Sequence, residues 1–146
     1  MYAGTRQGGK TSPLLFNIFI DDVVETLDAT KCGVEVGQFI ITCLLYADDI
    51  VLFAKSPEDM LSLLGKAESW AKEWRLVFNG NKCKILIIFA DKSTHRKFRN
   101  TVFTLFGERL ELVRVWDYLG MEMRANLSLT GTPGKLRECV KKRVNF

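Results

Sequence analysis

Apolar positions along the first part of this chain recur with the period of a helix. Between residues 14 and 27 they return every three or four positions, which predicts one stripe of an amphipathic helix. Ser12 suits the N-cap of that helix, and Pro13 suits its first position. Residues 32–38 carry two glycines and predict a turn region.

Two β-branched, apolar runs then follow closely on one another. Residues 39–46 and 50–54 are separated by only three residues, which predicts a β-hairpin with an acidic tip. Ser56 and Pro57 repeat the capping pattern and begin a second helix, which we expect to end near residue 74. Its predicted apolar face consists of Met60, Leu61, Leu64, Ala67, Ala71 and Trp74.

The second half of the chain has a stronger strand character. Residues 84–89 predict a buried strand, and the runs at 102–106 and 109–115 predict a second hairpin. Residues 116–123 continue in extended form, and Thr132-Pro133 is a candidate cap for a last helix. The order helix, hairpin, helix, strand, hairpin predicts the α+β class.

Composition fits one globular domain with a hydrophobic core. The chain has 146 residues, of which 47% are hydrophobic and 26% charged. No apolar run approaches the roughly 18–20 residues that cross a bilayer. The first residues do not resemble a signal peptide, so we expect an intracellular protein of the nucleus or cytoplasm that is not secreted. Four scattered cysteines and one histidine do not form a zinc pattern, and reduced, packed thiols are the expectation.

Charge is distributed unevenly along the chain. Residues 1–91 hold 9 Lys/Arg against 12 Asp/Glu, whereas residues 92–146 hold 12 against 5. A basic C-terminal third favours an anionic partner such as nucleic acid, although an ordinary solvated surface gives the same count.

Two adjacent carboxylates, Asp48 and Asp49, occupy the predicted tip of the first hairpin. They repel each other, and a divalent cation removes that repulsion. Magnesium prefers oxygen ligands and binds through one or two carboxylates together with substrate phosphates. Aspartate also favours turns, so a purely structural tip is the alternative.

The sequence around these aspartates resembles a known family. The run LLYADDIVLFA at residues 44–54 is similar to the catalytic hairpin of reverse transcriptases of LINE-type, non-LTR retrotransposons. Three further blocks follow the family's order and extend the resemblance over residues 4–124: Gln7-Gly8 with residues 12–17, Leu76-x-x-Asn79-x-x-Lys82, and Tyr118-Leu119-Gly120.

This resemblance implies a partial polymerase palm, in which helices pack on an antiparallel sheet with an acidic hairpin. It places the palm at residues 1–124, and a linker with the start of a thumb-like helix at 125–146. The family adds deoxynucleotides to a primer on an RNA or DNA template, using two magnesium ions. Template-primer and deoxynucleotide triphosphates are therefore the implied partners, and no membrane is implied.

The resemblance also implies roles for individual residues. Asp48 and Asp49 would be the metal ligands, and Lys82 would assist the departing pyrophosphate. Gln7 and Gly8 would contact the nucleotide and the template. Tyr46 and Ala47 would line the primer terminus. The primer grip would consist of Tyr118, Leu119 and Gly120.

The chain departs from the family pattern in two ways. Gly9, Lys10 and Thr11 stand where the family has a pair ending in an apolar residue. The family's first catalytic aspartate and its fingers strands lie upstream of Gln7, and we expect them to be missing here. The isolated chain should therefore be inactive, and an uncovered sheet edge should cause self-association. The cluster Asp21, Asp22 and Glu25 does not replace that aspartate, because it predicts a solvated helix face.

Two alternatives come from the same sequence. Residues 4–11 fit the P-loop pattern of nucleotide hydrolases, although too few residues precede them here to form the required strand. The chain could also be a non-catalytic, nucleic-acid-binding remnant of a retroelement. The phosphate contacts of such a remnant would come from its basic tail, which includes Lys135, Arg137, Lys141, Lys142 and Arg143. Aromatic side chains could stack on bases, but core packing is favoured for most of Phe98, Phe103, Phe106 and Trp116.

Overall fold

The structure is a computed structural model that describes residues 12–88 and 91–125. The chain divides into two compact units, Met1–Phe78 and Asn79–Phe146. The predictions for residues 4–11, for the last helix at Thr132-Pro133 and for the basic tail lie outside the described residues. The boundary at residue 124 between palm and thumb stays a prediction.

The described part of the first unit contains two long helices and two hairpins. Its elements are α1 Ser12–Asp28, β1 Val34–Val36, β2 Phe39–Ile41, β3 Cys43–Tyr46, β4 Asp49–Leu52 and α2 Pro57–Glu73. Both predicted helices are confirmed. Ser56 caps α2 by accepting a hydrogen bond from the backbone N–H of Asp59 at 3.1 Å, as its sequence position predicted.

Helices α1 and α2 pack against each other and form the core of the first unit. The buried side chains are Ile20, Val23 and Leu27 from α1 and Leu63, Leu64, Ala67, Trp70 and Ala71 from α2. The predicted face of α2 was partly wrong, because Leu61 and Trp74 are 43% and 47% exposed. The apolar residues of α2 spread over more than one narrow stripe, and its packing against α1 decides which of them become buried.

The run predicted as one strand at residues 39–46 is interrupted at Thr42. Residues 39–41 pair with β1, a strand that the sequence analysis assigned to a turn, and residues 43–46 pair with β4. Thr42 is 1% exposed, and its hydroxyl donates a hydrogen bond to the Asp28 carboxylate at the end of α1. A buried hydroxyl requires such a partner, and this bond anchors the joint between the two hairpins.

The described part of the second unit consists of short strands and one unpredicted helix. Its elements are the 3₁₀ turn η1 Gly80–Lys82, β5 Lys84–Leu86, α3 Lys92–Asn100, β6 Thr104–Leu105, β7 Glu108–Arg109, β8 Glu111–Val113, β9 Val115–Tyr118 and β10 Met121–Arg124. Helix α3 lacks an apolar stripe, so hydrophobic periodicity gave no signal for it. The predicted second hairpin is present only as the short pair of β6 and β7, with its turn at Phe106-Gly107, because residues 111–113 of its second run pair with β5 instead.

The mixed helix-and-strand composition agrees with the predicted class. Within the described residues, however, the ten strands form five two-stranded sheets, and β5 with β8 is a parallel pair. A single antiparallel palm sheet is therefore not seen in this part of the chain, and the palm arrangement stays a prediction. No helix among the described residues is long and apolar enough to span a membrane.

Candidate functional site: the acidic hairpin

The acidic tip is a two-residue turn between strands β3 and β4. Tyr46 pairs with Asp49, which leaves Ala47 and Asp48 as the turn. Ala47 has a left-handed φ of 53°. Phe106 and Leu119 adopt the same conformation at two other hairpin tips, with φ of 51° each. The left-handed residue thus follows from tight hairpin geometry and is not by itself a mark of chemistry.

Both carboxylates of the tip face solvent. Asp48 and Asp49 are exposed, and neither side chain makes a hydrogen bond or ion pair with another described residue. Their oxygen atoms are available to a ligand, unlike those of Asp22, Asp28 and Asp91, which accept hydrogen bonds from the protein.

The two faces of this hairpin differ in exposure. Strand alternation places Leu44 and Tyr46 on the same face as Asp49, and these two side chains are 49% and 51% exposed. The opposite face carries half-buried residues, including Leu45 and Cys43, whose thiol pKa is raised mainly by burial. The hairpin therefore presents an apolar and acidic surface on one side only.

Lys82 lies in the second unit at the end of the η1 turn, and it is exposed. Its backbone N–H donates to the carbonyl of Asn79 at 3.0 Å, which closes the turn. Gly80 packs tightly against the hairpin of β6 and β7, where a Cβ would stand 2.8 Å from the Cβ of Glu108. Local packing thus fixes the backbone that carries Lys82.

The predicted primer-grip residues form the tip of another hairpin. Tyr118 ends β9 and pairs with Met121, while Leu119 and Gly120 make the turn with φ of 51° and 78°. Tyr118 is half-buried, and Leu119 is 39% exposed. Strand periodicity alone predicted an extended run at residues 116–123, whereas the resemblance to the primer-grip hairpin implied the reversal that the structure has at Leu119-Gly120.

The structure thus brings four of the predicted site residues together on one hairpin: Tyr46, Ala47, Asp48 and Asp49. Lys82, Tyr118, Leu119 and Gly120 belong to the second unit. Gln7 and Gly8 lie outside the described residues.

The carboxylates at the tip fit a divalent cation as two of its ligands. They are adjacent, exposed oxygen donors, the type that magnesium binds while keeping part of its water shell. Among the described residues, no group of three or more His, Cys, Asp or Glu side chains is placed to hold a metal.

One polar contact between α1 and the end of α2 was not predicted from the sequence. Asp22 accepts hydrogen bonds from the indole N–H groups of Trp70 at 2.7 Å and Trp74 at 3.3 Å. Asp21, Asp22 and Glu25 are all exposed, as predicted for this helix face, and Asp22 differs from the other two in accepting these indole hydrogen bonds. The available signal for Asp22 was the spacing of the two tryptophans, because Trp70 in α2 and Trp74 at its C-cap are four residues apart and lie along one side of the helix.

Comparison with known proteins identifies the family. Residues 1–123 match the family described as reverse transcriptase (RNA-dependent DNA polymerase). The chain belongs to the reverse transcriptase family. This match also covers residues 4–11, so their P-loop pattern occurs within a reverse transcriptase sequence.

Curated relatives come from R2 retrotransposable elements, in agreement with the predicted non-LTR retrotransposon origin. A Retrovirus-related Pol polyprotein from type-1 retrotransposable element R2 of Nasonia vitripennis is 32% identical over 127 residues, covering 81% of this chain and 12% of the relative. The corresponding polyprotein from the type-2 element R2DM of Drosophila melanogaster is 36% identical over 80 residues, covering 55% and 8%. The reverse transcriptase chain therefore spans a small part of these relatives.

Proposed function

We propose that this chain is part of a reverse transcriptase palm, in which the β3–β4 hairpin holds divalent metal ions against the end of a growing strand. The observation that carries this proposal is the position of Asp48 and Asp49 at an exposed two-residue tip. Family membership supports it, because reverse transcriptases act on nucleic-acid template-primers and nucleotides with divalent metals.

In this proposal, Asp48 and Asp49 are ligands for magnesium. Two bound magnesium ions would supply activation of the attacking oxygen and stabilisation of the leaving oxygen in nucleotide transfer. Tyr46 and Ala47 would contact the primer terminus beside them. Tyr46 is half exposed on the same face as Asp49, so its ring is accessible to a strand end.

The remaining residues would position substrates. Gln7 and Gly8 would contact nucleotide and template, and Lys82 would neutralise the departing pyrophosphate. Lys82 is exposed at a tightly packed turn, which suits a cation that must meet a phosphate. The primer-grip assignment of Tyr118, Leu119 and Gly120 is supported by their position at a hairpin tip.

We also propose that the 146-residue chain does not polymerise by itself. The family places a further catalytic aspartate on a strand before the Gln-Gly block, and a two-metal site assembled without that ligand should lack several kcal/mol of transition-state stabilisation. In a primer-extension assay with magnesium, the purified chain should show no template-dependent product. Extension that disappears in Asp48→Asn would overturn this part of the proposal.

Metal binding is tested separately by NMR with Mn²⁺ as a paramagnetic probe. Amide signals of residues 46–50 should broaden first as Mn²⁺ is added, and the double variant Asp48→Asn/Asp49→Asn should lose that selective broadening. The matched control is Asp21→Asn/Glu25→Gln, which removes two exposed carboxylates from α1. Unchanged broadening at the tip of the double variant would refute metal binding there.

A further inference from the structure

Helix α3 is short, strongly basic and exposed on most of its surface. Its nine residues, Lys92–Asn100, contain four Lys/Arg residues and no Asp or Glu. The four cations are exposed: Lys92, Arg96, Lys97 and Arg99. Among the described residues, none of the ion pairs involves this helix.

The helix is anchored through one buried side chain. Phe98 is 7% exposed and stacks on Phe103, which is 1% exposed, with ring centroids 5.8 Å apart. Core packing is therefore the role of these two rings, as the sequence analysis favoured. At the other end, Asp91 caps the helix by accepting from the backbone N–H groups of Ser93 at 2.7 Å and Thr94 at 3.0 Å.

This anchoring determines which side of the helix faces outward. With about 100° between successive residues, Lys92, Arg96 and Arg99 share one face, away from Phe98. Their spacing of four and three residues makes them neighbours along that face. We call Lys92, Arg96 and Arg99 the basic stripe.

The stripe carries an electrostatic cost in the free protein. Like charges at these spacings destabilise a helix by a few tenths of a kcal/mol per pair. Lys92 adds to the cost, because a cation in the first turn opposes the helix dipole. Within the described residues, no acidic side chain offsets the repulsion by an ion pair. A polyanion would offset it.

The dimensions of the stripe suit a nucleic-acid strand. From Lys92 to Arg99 the helix rises about 10 Å. One strand of a duplex carries a phosphate about every 3.4 Å of axial rise, so a helix of this length lying along the duplex axis spans the rise of about three phosphates. Three cations on one face can therefore meet consecutive phosphates.

We propose that the basic stripe of α3 binds the phosphate backbone of nucleic acid through residues that take no part in the acidic hairpin. The contact requires no base recognition, since cations that meet phosphates position a strand without reading its sequence. It also requires no metal ion. The stripe can therefore bind nucleic acid even if the proposed metal site of the hairpin fails its own test.

The experiment measures binding of the full chain to a fluorescein-labelled RNA–DNA hybrid duplex in EDTA, by anisotropy at rising NaCl. Each phosphate contact contributes about 0.9 to the slope of log affinity against log salt, so Lys92→Gln/Arg96→Gln/Arg99→Gln should reduce the slope by roughly 2–3 units. The matched control, Lys66→Gln/Arg75→Gln/Arg114→Gln, removes three exposed cations that lie outside α3 and should reduce it by less than about one unit.

Circular dichroism of each variant checks that the helices persist. Equal changes in both triple variants would assign binding to net charge and overturn the proposal. An unchanged slope in the stripe variant would also overturn it. A third contrary result would be wild-type binding to phosphatidylserine vesicles without binding to the duplex, because the stripe would then recognise a membrane surface.

Discussion

The indole N–H of Trp70 donates a hydrogen bond to the Asp22 carboxylate across 2.7 Å, and this bond connects α2 to α1. Trp70 is only 3% exposed, so its N–H would otherwise lose its partner on folding. Phe19 packs beside both tryptophans, with ring centroids 5.6 Å from Trp70 and 5.1 Å from Trp74. This part of the contact between the two helices therefore consists of three aromatic rings and of the Asp22 carboxylate, which accepts hydrogen bonds from the two indoles.

Replacing Asp22 should destabilise the first unit. Asp22→Ala leaves the Trp70 N–H without its acceptor, and we expect the free energy of unfolding to fall by about 1–2 kcal/mol. Asp22→Asn keeps an oxygen acceptor and should lose less. Urea unfolding followed by tryptophan fluorescence measures both changes.

The control for Asp22 is its exposed neighbour. Asp21→Ala removes the same charge from the same helix, and a surface change of this kind should alter stability by less than about 0.5 kcal/mol. If Asp21→Ala and Asp22→Ala cost the same, the hydrogen bond to Trp70 is not a source of stability.

Two glycines should respond to alanine with opposite signs. At Gly80 a Cβ would lie 2.5 Å from Glu108 Oε2 and 2.8 Å from its Cβ, so Gly80→Ala should destabilise by about 1–3 kcal/mol. At Gly65, within α2, a Cβ would meet nothing within 4 Å. Gly65→Ala should therefore stabilise by roughly 0.5–1 kcal/mol. Thermal unfolding of the two variants checks both signs, and stabilisation by Gly80→Ala would contradict the packing described for η1.

Helix α3 should become less stable at acid pH, because its N-cap Asp91 becomes protonated. Hydrogen bonds from the Thr94 hydroxyl and from the backbone of Thr94 and Ser93 hold the pKa of Asp91 below its usual range. A carboxyl whose pKa is lower in the folded state contributes stability above its unfolded pKa, and that contribution is lost as pH falls through the folded pKa. NMR shifts of residues 92–100 should consequently lose helical character as pH falls below the usual aspartate range.

The matched variant for this prediction is Asp91→Asn. Asparagine also caps helices and does not titrate, so the acid-dependent loss at residues 92–100 should disappear. Persistence of the same loss in Asp91→Asn would show that another group controls the pH response.

The exposed face of the acidic hairpin should cause self-association. Leu44 is 49% exposed, and nearby Phe39 in β2 is 65% exposed. The two-stranded sheet of β3 and β4 also leaves its edges unpaired within the described residues, and open apolar edges favour pairing between molecules. Light scattering should show a mean mass that rises with protein concentration.

Lysine at the hairpin should reduce this association. Leu44→Lys places a charge on the exposed strand, while Leu61→Lys makes the same change on α2 at a similar exposure of 43%. Only Leu44→Lys should lower the mean mass. A sharp monomer at high concentration of the unmodified chain would contradict the prediction directly.

Local sequence signals predicted much of the structure. Capping by Ser56, the helical stripe of α1 and the strand–turn–strand pattern around Asp48 depend on neighbours within a few residues, so they are readable without knowledge of the fold. Helix α3 escaped prediction because its single buried residue, Phe98, gives no periodicity. The interruption at Thr42 was not predicted, because residues 39–46 are all apolar or β-branched and therefore have the pattern of one continuous strand.

By itself, the sequence determined the family and the adjacency of Asp48 and Asp49 at a hairpin tip, because motif order and turn chemistry are properties of the linear chain. Only the tertiary structure decided that Asp22 meets Trp70, that Thr42 reaches Asp28, and that Lys92, Arg96 and Arg99 remain exposed. The two contacts join residues 48 and 14 positions apart, and the exposure follows from Phe98 stacking on Phe103. Such relations depend on how elements pack against one another. The periodicity of a helix or strand shows which of its faces is apolar, but it does not show which other element packs on that face.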